Sequence, residues 1–185
     1  MIENKPSYLS VIDIFRDLNP YEYADIEPYV TSISRKPGNI FYMPEDRGEV
    51  IYFLPAGKVQ IYRISLTGKK LVTATLGPGS FFGEMSIVGR GFHSTFAESL
   101  VTCSICVMDR QDFIRLLHTK PQVALRFAEA MGSRMNILEA NLEELAFKNV
   151  PSRLASLLLR SAEEQGAEDC RARSVDPQRG LDADR

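Results

Sequence analysis

Glu84 is the residue whose setting in the sequence points most directly to ligand binding. It directly follows Gly83 in the stretch GPGSFFGEMSIVGRGFHSTFAES, which runs from Gly77 to Ser99. Closely spaced glycines let a backbone turn tightly and present its N–H groups to an anion. A carboxylate beside such a turn can accept hydrogen bonds from sugar hydroxyls. These residue types favour a pocket for a sugar phosphate, although β-structures also need glycines at their corners.

The other residues that could do chemistry are cysteines and histidines. Cys103 and Cys106 form a C-x-x-C pattern. Residues three apart on a strand face opposite sides, so the two sulfurs cannot reach one metal ion. The two histidines, His93 and His118, are predicted to lie on a loop and on a helix. No nucleophile pattern such as G-x-S-x-G occurs. We therefore expect neither a bound metal nor enzymatic activity.

The composition is that of a soluble cytoplasmic protein. The 185 residues are 44% hydrophobic and 25% charged, with a formal net charge of −2. Such a charge provides no overall basic field for nucleic acid or for a membrane surface. No apolar run approaches the length of a membrane span, and the N-terminus lacks the apolar core of a signal peptide. Three cysteines do not make a disulfide framework, which favours a reducing compartment.

Short alternating runs predict a β domain from Thr31 to about Asp109. Residues 50–54 and 59–64 flank a hairpin connection, and Thr67-Gly68 closes the next hairpin. Many short strands with regularly spaced turns are typical of a sandwich or a barrel.

Helices are predicted before the β domain. The apolar residues Leu9, Ile12 and Phe15 have helical spacing, and Asn19-Pro20 is typical of a helix start. Pro28 should end the second helix, because proline lacks an N–H and clashes one turn back. Three tyrosines are expected to pack against the β domain: Tyr21, Tyr23 and Tyr29.

Two further helices are predicted after the β domain. The first begins at Asp109, which can cap it, and the second begins near Pro121. The second helix carries apolar residues at alternating spacings of four and three, which is the pattern of a coiled coil. The series is Ala124, Ala128, Met131, Met135, Leu138, Leu142 and Leu145. We predict a parallel homodimer whose interface runs from Ala128 to Leu145; an ordinary helix packed on the β domain is the alternative.

The C-terminal residues change character after this helix. Pro151 should end it, because the residue before a proline avoids helical conformation. An amphipathic helix is then predicted over Ser152–Glu164, followed by a polar tail that reads as disordered.

The chain resembles the cyclic-AMP receptor protein/FNR family of bacterial transcription regulators over residues 8–166. The resemblance rests on VIYFLPAGKVQIYRIS, LGPGSFFGEMSIV and AFKNVPSRLASLLLRSAEEQG. It implies a mainly β fold with α: a double-stranded β-helix, or jelly roll, flanked by N-terminal helices and followed by a long dimerisation helix. The expected domains are a cyclic-nucleotide-binding-like sensor (1–118), the dimerisation helix (119–147), the first helix of an incomplete winged-helix domain (148–165) and the tail (166–185).

The resemblance also implies a ligand pocket. Glu84 would bind a ribose hydroxyl and Ser94 a phosphate, but His93 stands where the family has its phosphate-binding arginine. Arg90, between two glycines, could swing towards the same place. The candidate ligand-binding residues are Gly83, Glu84, Met85, Arg90, His93 and Ser94.

Two departures from the family argue against a response to cyclic AMP. A neutral imidazole at His93 has neither the permanent charge nor the two-pronged donor of a guanidinium. The family's adenine-contacting pair falls on Leu138 and Glu139, and leucine cannot hydrogen-bond adenine. Haem is not expected either, because Gly91 replaces the cysteine of haem-binding relatives, and His93 is interpreted as a surface-loop residue. No cofactor is predicted, with a cyclic nucleotide as the alternative ligand.

The interpretation that follows is the effector-sensing and dimerisation part of a transcription regulator of this family. It would be a homodimer that responds to a small-molecule effector, binds DNA in a full-length form and has no membrane partner. A winged-helix reader needs on the order of 50 residues beyond its first helix, and about 20 follow Glu164, so the recognition helix is predicted to be absent. The alternative is a stand-alone cyclic-nucleotide-binding-like or protein-interaction module that does not bind DNA.

Overall fold

Two four-stranded sheets form the centre of the computed structural model, which describes residues 8–84, 93–147 and 152. The strands are β1 (Val30–Arg35), β2 (Ile40–Tyr42), β3 (Val50–Ala56), β4 (Val59–Ile64), β5 (Lys70–Leu76), β6 (Phe81–Phe82), β7 (Phe96–Ser99) and β8 (Cys103–Asp109). One sheet has the order β1-β8-β3-β6 and the other β2-β7-β4-β5. All of the pairings are antiparallel. The predicted jelly roll is therefore confirmed.

A core lies between the two sheets because alternate residues of each strand point inward. Val59 of β4, Ala97 of β7 and Ile105 of β8 are fully buried there, together with Leu54 and Phe82. Cys103 belongs to this core, whereas Cys106 belongs to a second core on the opposite face of β8. The two thiols thus face opposite sides of the strand, as its alternation predicts. Within the described residues, no three histidine, cysteine or acidic side chains come together as a metal site requires.

The second core lies under the helices. The N-terminal segment forms two 3-10 helices, Tyr8–Val11 and Asp13–Phe15, rather than the predicted α-helix. Phe15 nevertheless packs on Phe53 of β3, with ring centroids 5.0 Å apart. The apolar spacing therefore predicted the buried face correctly although the helix type was wrong.

The helix α1 (Pro20–Ile26) begins where Asn19-Pro20 predicts. The Asn19 side chain accepts hydrogen bonds from the backbone N–H groups of Tyr21 and Glu22, and the Glu22 carboxylate accepts one from the Asn19 N–H. A 3-10 turn over Glu27–Tyr29 follows, as Pro28 requires.

The packing predicted for the three tyrosines is correct only for Tyr23. Its hydroxyl donates a hydrogen bond to the Phe15 carbonyl at 2.8 Å. Tyr21 is 86% exposed and Tyr29 is half exposed, so both predictions were wrong. Tyr21 is the second residue of a short helix whose buried residue is Ile26, and it lies on the outer face.

Two helices follow β8. Asp109 caps α2 (Arg110–Thr119) by accepting a hydrogen bond from the Gln111 N–H at 2.7 Å. The long helix α3 (Pro121–Phe147) starts at Pro121 as predicted. A compact unit ends at Met131, and a second begins at Gly132. In the first unit, Val123 and Phe127 are buried in the second core, where the Phe127 ring contacts Phe81 and Phe113. In the described residues, no helix is long and apolar enough to cross a membrane.

The predicted interface residues of α3 have different surroundings in the two units. In the first unit, Ala128 is exposed and Met131 packs partly against the second core. In the second unit, Met135, Leu138 and Leu142 are each more than half exposed. Leu145 lies outside the described side chains. The predicted helix over 152–164 and the tail fall outside the described residues, apart from Ser152.

Candidate functional site

Glu84 lies at the end of β6, immediately after a turn that needs glycine. β6 pairs with β3 so that Phe82 lies opposite Tyr52. Gly83 then has a positive φ of 89°. A Cβ atom at Gly83 would lie 3.2 Å from the Val50 carbonyl oxygen and 3.3 Å from Cδ2 of Tyr52. The chain therefore turns closely against β3, and the Glu84 side chain that follows is only 7% exposed.

A cluster of rings, which we call the aromatic cluster, lies beside this turn. It consists of Phe41, Tyr42, Tyr52, Phe82 and His93. The Tyr52 and Phe82 rings are stacked with centroids 4.9 Å apart, and Phe41 meets the Phe82 ring edge-on at 5.2 Å. Offset stacks and edge contacts of this kind stabilise aromatic packing beyond the area that they bury. Because Phe82 is followed directly by Gly83 and Glu84, the packing of the Phe82 ring in the cluster fixes the position of the Glu84 backbone.

His93 is part of this cluster and is not a surface residue. Its ring lies parallel to that of Tyr42, with centroids 3.6 Å apart, and the residue is only 6% exposed. Its backbone N–H donates to the Asp46 carbonyl, and its own carbonyl accepts from the Glu45 N–H. The interpretation as a surface-loop histidine was therefore wrong. A loop in the sequence can fold onto an aromatic ring, and no local pattern shows that it will.

Burial lowers the pKa of His93 below its usual value, and the nearby Asp46 charge only partly opposes this effect. Desolvation disfavours the imidazolium form, so the ring is neutral at pH 7. A neutral buried ring cannot provide the charge that a phosphate group needs, and the stack on Tyr42 gives His93 a structural role.

The lowered pKa of His93 predicts a pH-dependent stability. The unfolded chain takes up a proton near pH 6.5, above the pKa of the folded state, so the contribution of His93 is complete above about pH 6.5 and is lost as the pH falls. We expect the urea midpoint of the wild type to fall more between about pH 7.5 and pH 5.5 than that of His93→Phe, which keeps the stack but cannot titrate. Equal falls in the two proteins would show that His93 titrates normally. The two proteins differ only at residue 93, so the difference between their falls reports on His93.

Ser94 follows His93 and reaches the surface. Its hydroxyl oxygen accepts a hydrogen bond from Nη2 of Arg63 at 3.2 Å. Arg63 is on β4, in the same sheet as β7, and both side chains are exposed. Arg63 was not among the residues predicted for the site. The pattern that could have indicated Arg63 is its spacing on β4, because it follows Val59 and Ile61 at intervals of two residues and so shares their face of the strand.

The structure thus brings together part of the predicted site. Gly83, Glu84, His93 and Ser94 all lie at or next to the aromatic cluster. Met85 and Arg90 lie outside the described residues. The pair Leu138 and Glu139, matched to adenine contacts by the family resemblance, is exposed on α3.

The chain is similar to known proteins in both sequence and structure. Residues 33–120 match the cyclic nucleotide-binding domain family. The cyclic AMP receptor protein of Thermus thermophilus is 29% identical over 147 residues, which cover 80% of this chain and 68% of that protein. The CRP-like cAMP-activated global transcriptional regulator of Mycobacterium tuberculosis is 25% identical over 156 residues, covering 84% of this chain and 70% of that protein.

A solved structure agrees with these sequence matches. The crystal structure of the Thermus thermophilus catabolite activator protein superposes with a TM-score of 0.65 at 28% identity, covering 82% of this chain and 71% of that one. These relatives are transcription regulators rather than enzymes, in line with the prediction that this chain is not an enzyme. Residues 33–120 thus match the cyclic nucleotide-binding domain family, and the chain as a whole is similar to cyclic AMP receptor proteins and cAMP-activated transcriptional regulators.

Proposed function

We propose that this chain is the effector-sensing and dimerisation part of a DNA-binding transcription regulator of the cyclic-AMP receptor protein/FNR type. The observation that carries the proposal is the buried carboxylate of Glu84 directly after the positive-φ turn at Gly83. A carboxylate beside such a turn can accept hydrogen bonds from the hydroxyl groups of a ligand sugar. A regulator that binds DNA acts in the cytoplasm, where its target lies.

The proposed effector is a sugar phosphate of the nucleotide class, and the base contributes little to its selection. At the position that the family resemblance matches to an adenine contact stands Leu138, whose side chain has no polar atom, and the His93 ring is stacked on Tyr42. Cyclic AMP should therefore bind no better than cyclic GMP. The proposed effector is therefore a nucleotide, as for the cAMP-activated relatives, but it is bound without selectivity for adenine.

The proposed oligomer is a homodimer formed through α3. The exposed side chains Met135, Leu138 and Leu142 lie at a and d positions of one heptad series. Burial of each leucine against a second copy would contribute roughly 1.5–3 kcal/mol. Dimerisation would bring two effector pockets into one molecule, so that ligand binding can bias the geometry of a regulator that reads DNA.

Glu84 provides the direct test of the proposed pocket. Calorimetric titration with cyclic GMP, cyclic AMP and the 2′-deoxy form of each should show binding of the ribose compounds. We expect Glu84→Gln to weaken that binding about ten- to a hundredfold, because it removes a charged hydrogen-bond acceptor. The same variant should have little effect on the 2′-deoxy ligands.

The matched control for this test is Glu98→Gln, which removes a carboxylate that pairs with Lys70 at 3.2 Å on the outer face of the sheet. It should bind all four ligands like the wild type. Wild-type protein that binds none of them at millimolar concentration would rule out a nucleotide pocket. Equal weakening of ribose and deoxyribose ligands by Glu84→Gln would show that Glu84 acts on the fold rather than on the sugar.

A further inference from the structure

Arg63 is an exposed guanidinium that is held in place by a serine. Its Nη2 donates to the Ser94 hydroxyl at 3.2 Å. In residues 8–84 and 93–147, no carboxylate forms a salt bridge with Arg63. A surface arginine normally hydrates freely or pairs with an acid. This one is fixed in place by a neutral partner that takes only one of its five N–H donors.

The register of the sheet determines the side on which Arg63 lies. Tyr62 pairs with Phe96 of β7, and the pairing of β4 with β7 is regular from Val59 to Tyr62. Since alternate residues share a face, Arg63 continues the row of Val59 and Ile61, which belong to the core between the sheets, but its own side chain lies beyond that core and is exposed.

The outer face of the same sheet carries a separate charged group. There, Nζ of Lys70 lies 3.7 Å from the centre of the Tyr62 ring and pairs with Glu98. The Lys70 charge is therefore already neutralised, and Arg63 is the cation that the inner row of β4 places next to Ser94.

A continuous set of contacts joins Ser94 to Glu84. His93, next to Ser94, stacks on Tyr42, and the Tyr42 ring lies 6.3 Å from that of Phe82. Phe82 leads through Gly83 directly into Glu84. The aromatic cluster therefore connects Glu84 to the Arg63–Ser94 pair. The cluster itself has no charge, since burial keeps the pKa of His93 low.

We propose that Arg63 and Ser94 together bind the phosphate group of the ligand whose sugar Glu84 binds, an inference that rests on the proposed function. Both side chains carry hydrogen-bond donors that suit a phosphate group. A guanidinium offers two parallel N–H donors to phosphate oxygens, and the bond to Ser94 orients the fork before the ligand arrives. The Ser94 hydroxyl can rotate to donate to a third oxygen. The cation thus comes from strand β4 and not from the loop before Ser94, where the sequence has neutral His93.

Four proteins test the proposal: the wild type, Arg63→Gln, Arg63→Lys and Arg35→Gln. Arg35 is the matched control, because it is an exposed strand arginine whose Nη1 donates to the Ser34 carbonyl. Cyclic GMP and cyclic AMP are titrated by calorimetry. We expect Arg63→Gln to weaken both nucleotides equally, by about ten- to a hundredfold. Arg63→Lys should fall in between, because it keeps the charge without the fork, and Arg35→Gln should match the wild type.

A second readout works without a nucleotide. Inorganic pyrophosphate is added to the full chain, and the ¹⁵Nε signal of Arg63 and the amide signal of Ser94 are followed by NMR. Both should shift in the wild type, and the Ser94 shift should disappear in Arg63→Gln. If no nucleotide binds but pyrophosphate shifts these signals, the phosphate site stands and the proposed sugar pocket fails. If nucleotides bind equally to the wild type and Arg63→Gln, the Arg63 proposal is wrong and the proposed function stands. If neither nucleotides nor pyrophosphate bind, both fail.

Discussion

Leu138→Asp combined with Leu142→Asp is expected to convert a dimer into a monomer. Both leucines are more than half exposed in the single chain, and they occupy d and a positions of the same heptad series. A dimer would bury four aspartates at one seam in place of four leucines. Loss of the leucine burial alone should raise the dissociation constant by at least about a thousandfold. Sedimentation velocity over a range of protein concentrations measures the change directly.

The control for the dimer places the same charges on the other side of α3. Ile137→Asp with Ala140→Asp changes two exposed residues at c and f positions, which face solvent in a parallel coiled coil. This variant should sediment like the wild type. If the Leu138/Leu142 variant remains a dimer, or if both variants become monomers, the interface does not run along this seam.

Much of the fold could be predicted because the relevant signals are local. Asn19 and Asp109 cap helices through their own neighbouring N–H groups. Thr67-Gly68 closes the hairpin between β4 and β5, in which Ile64 pairs with Lys70. Signals of this kind depend on a few consecutive residues, and tertiary packing has little opportunity to override them.

Features that depend on distant partners could not be predicted. β3 continues through Pro55 to Ala56, because its pairing with β8 shifts register there and does not need the missing proline N–H. Tyr21 and Tyr23 are equally apolar in the sequence, but only the side of α1 that carries Tyr23 meets Phe15. Helical position alone did not distinguish the two residues.

The candidate site also contains one part that depends on consecutive residues and another that depends on distant ones. Gly83-Glu84 could be recognised from consecutive residues, whereas Arg63 lies 31 positions from Ser94 and meets it only through sheet register. The position of His93 in a loop predicted an exposed side chain. Its ring is instead buried against that of Tyr42, which lies 51 positions away in the chain. A polar site that is assembled from two strands is visible in the sequence only after the strands have been aligned.

Gly57→Ala is expected to destabilise the fold strongly, because Gly57 lies where the chain crosses from one sheet to the other between β3 and β4. Its φ is +111°, and an added Cβ would lie 2.6 Å from Sγ and 2.8 Å from Cα of Cys103. The second contact is with backbone, which cannot rotate away. Strain at positive φ and overpacking together should lower the free energy of unfolding by about 2–5 kcal/mol. Urea unfolding followed by circular dichroism measures the loss.

Gly68→Ala separates the two causes of this loss. Gly68 has a φ of +79°, but no atom lies within 4 Å of the position of its added Cβ. It should therefore show only the conformational cost of about 1–2 kcal/mol. Cys103 also donates from its thiol to the Lys58 carbonyl at 3.3 Å, so displacing it would loosen the start of β4, the strand that carries Arg63. Equal losses in the two variants would mean that Cys103 moves aside without cost, and that the corner between the sheets is not tightly packed.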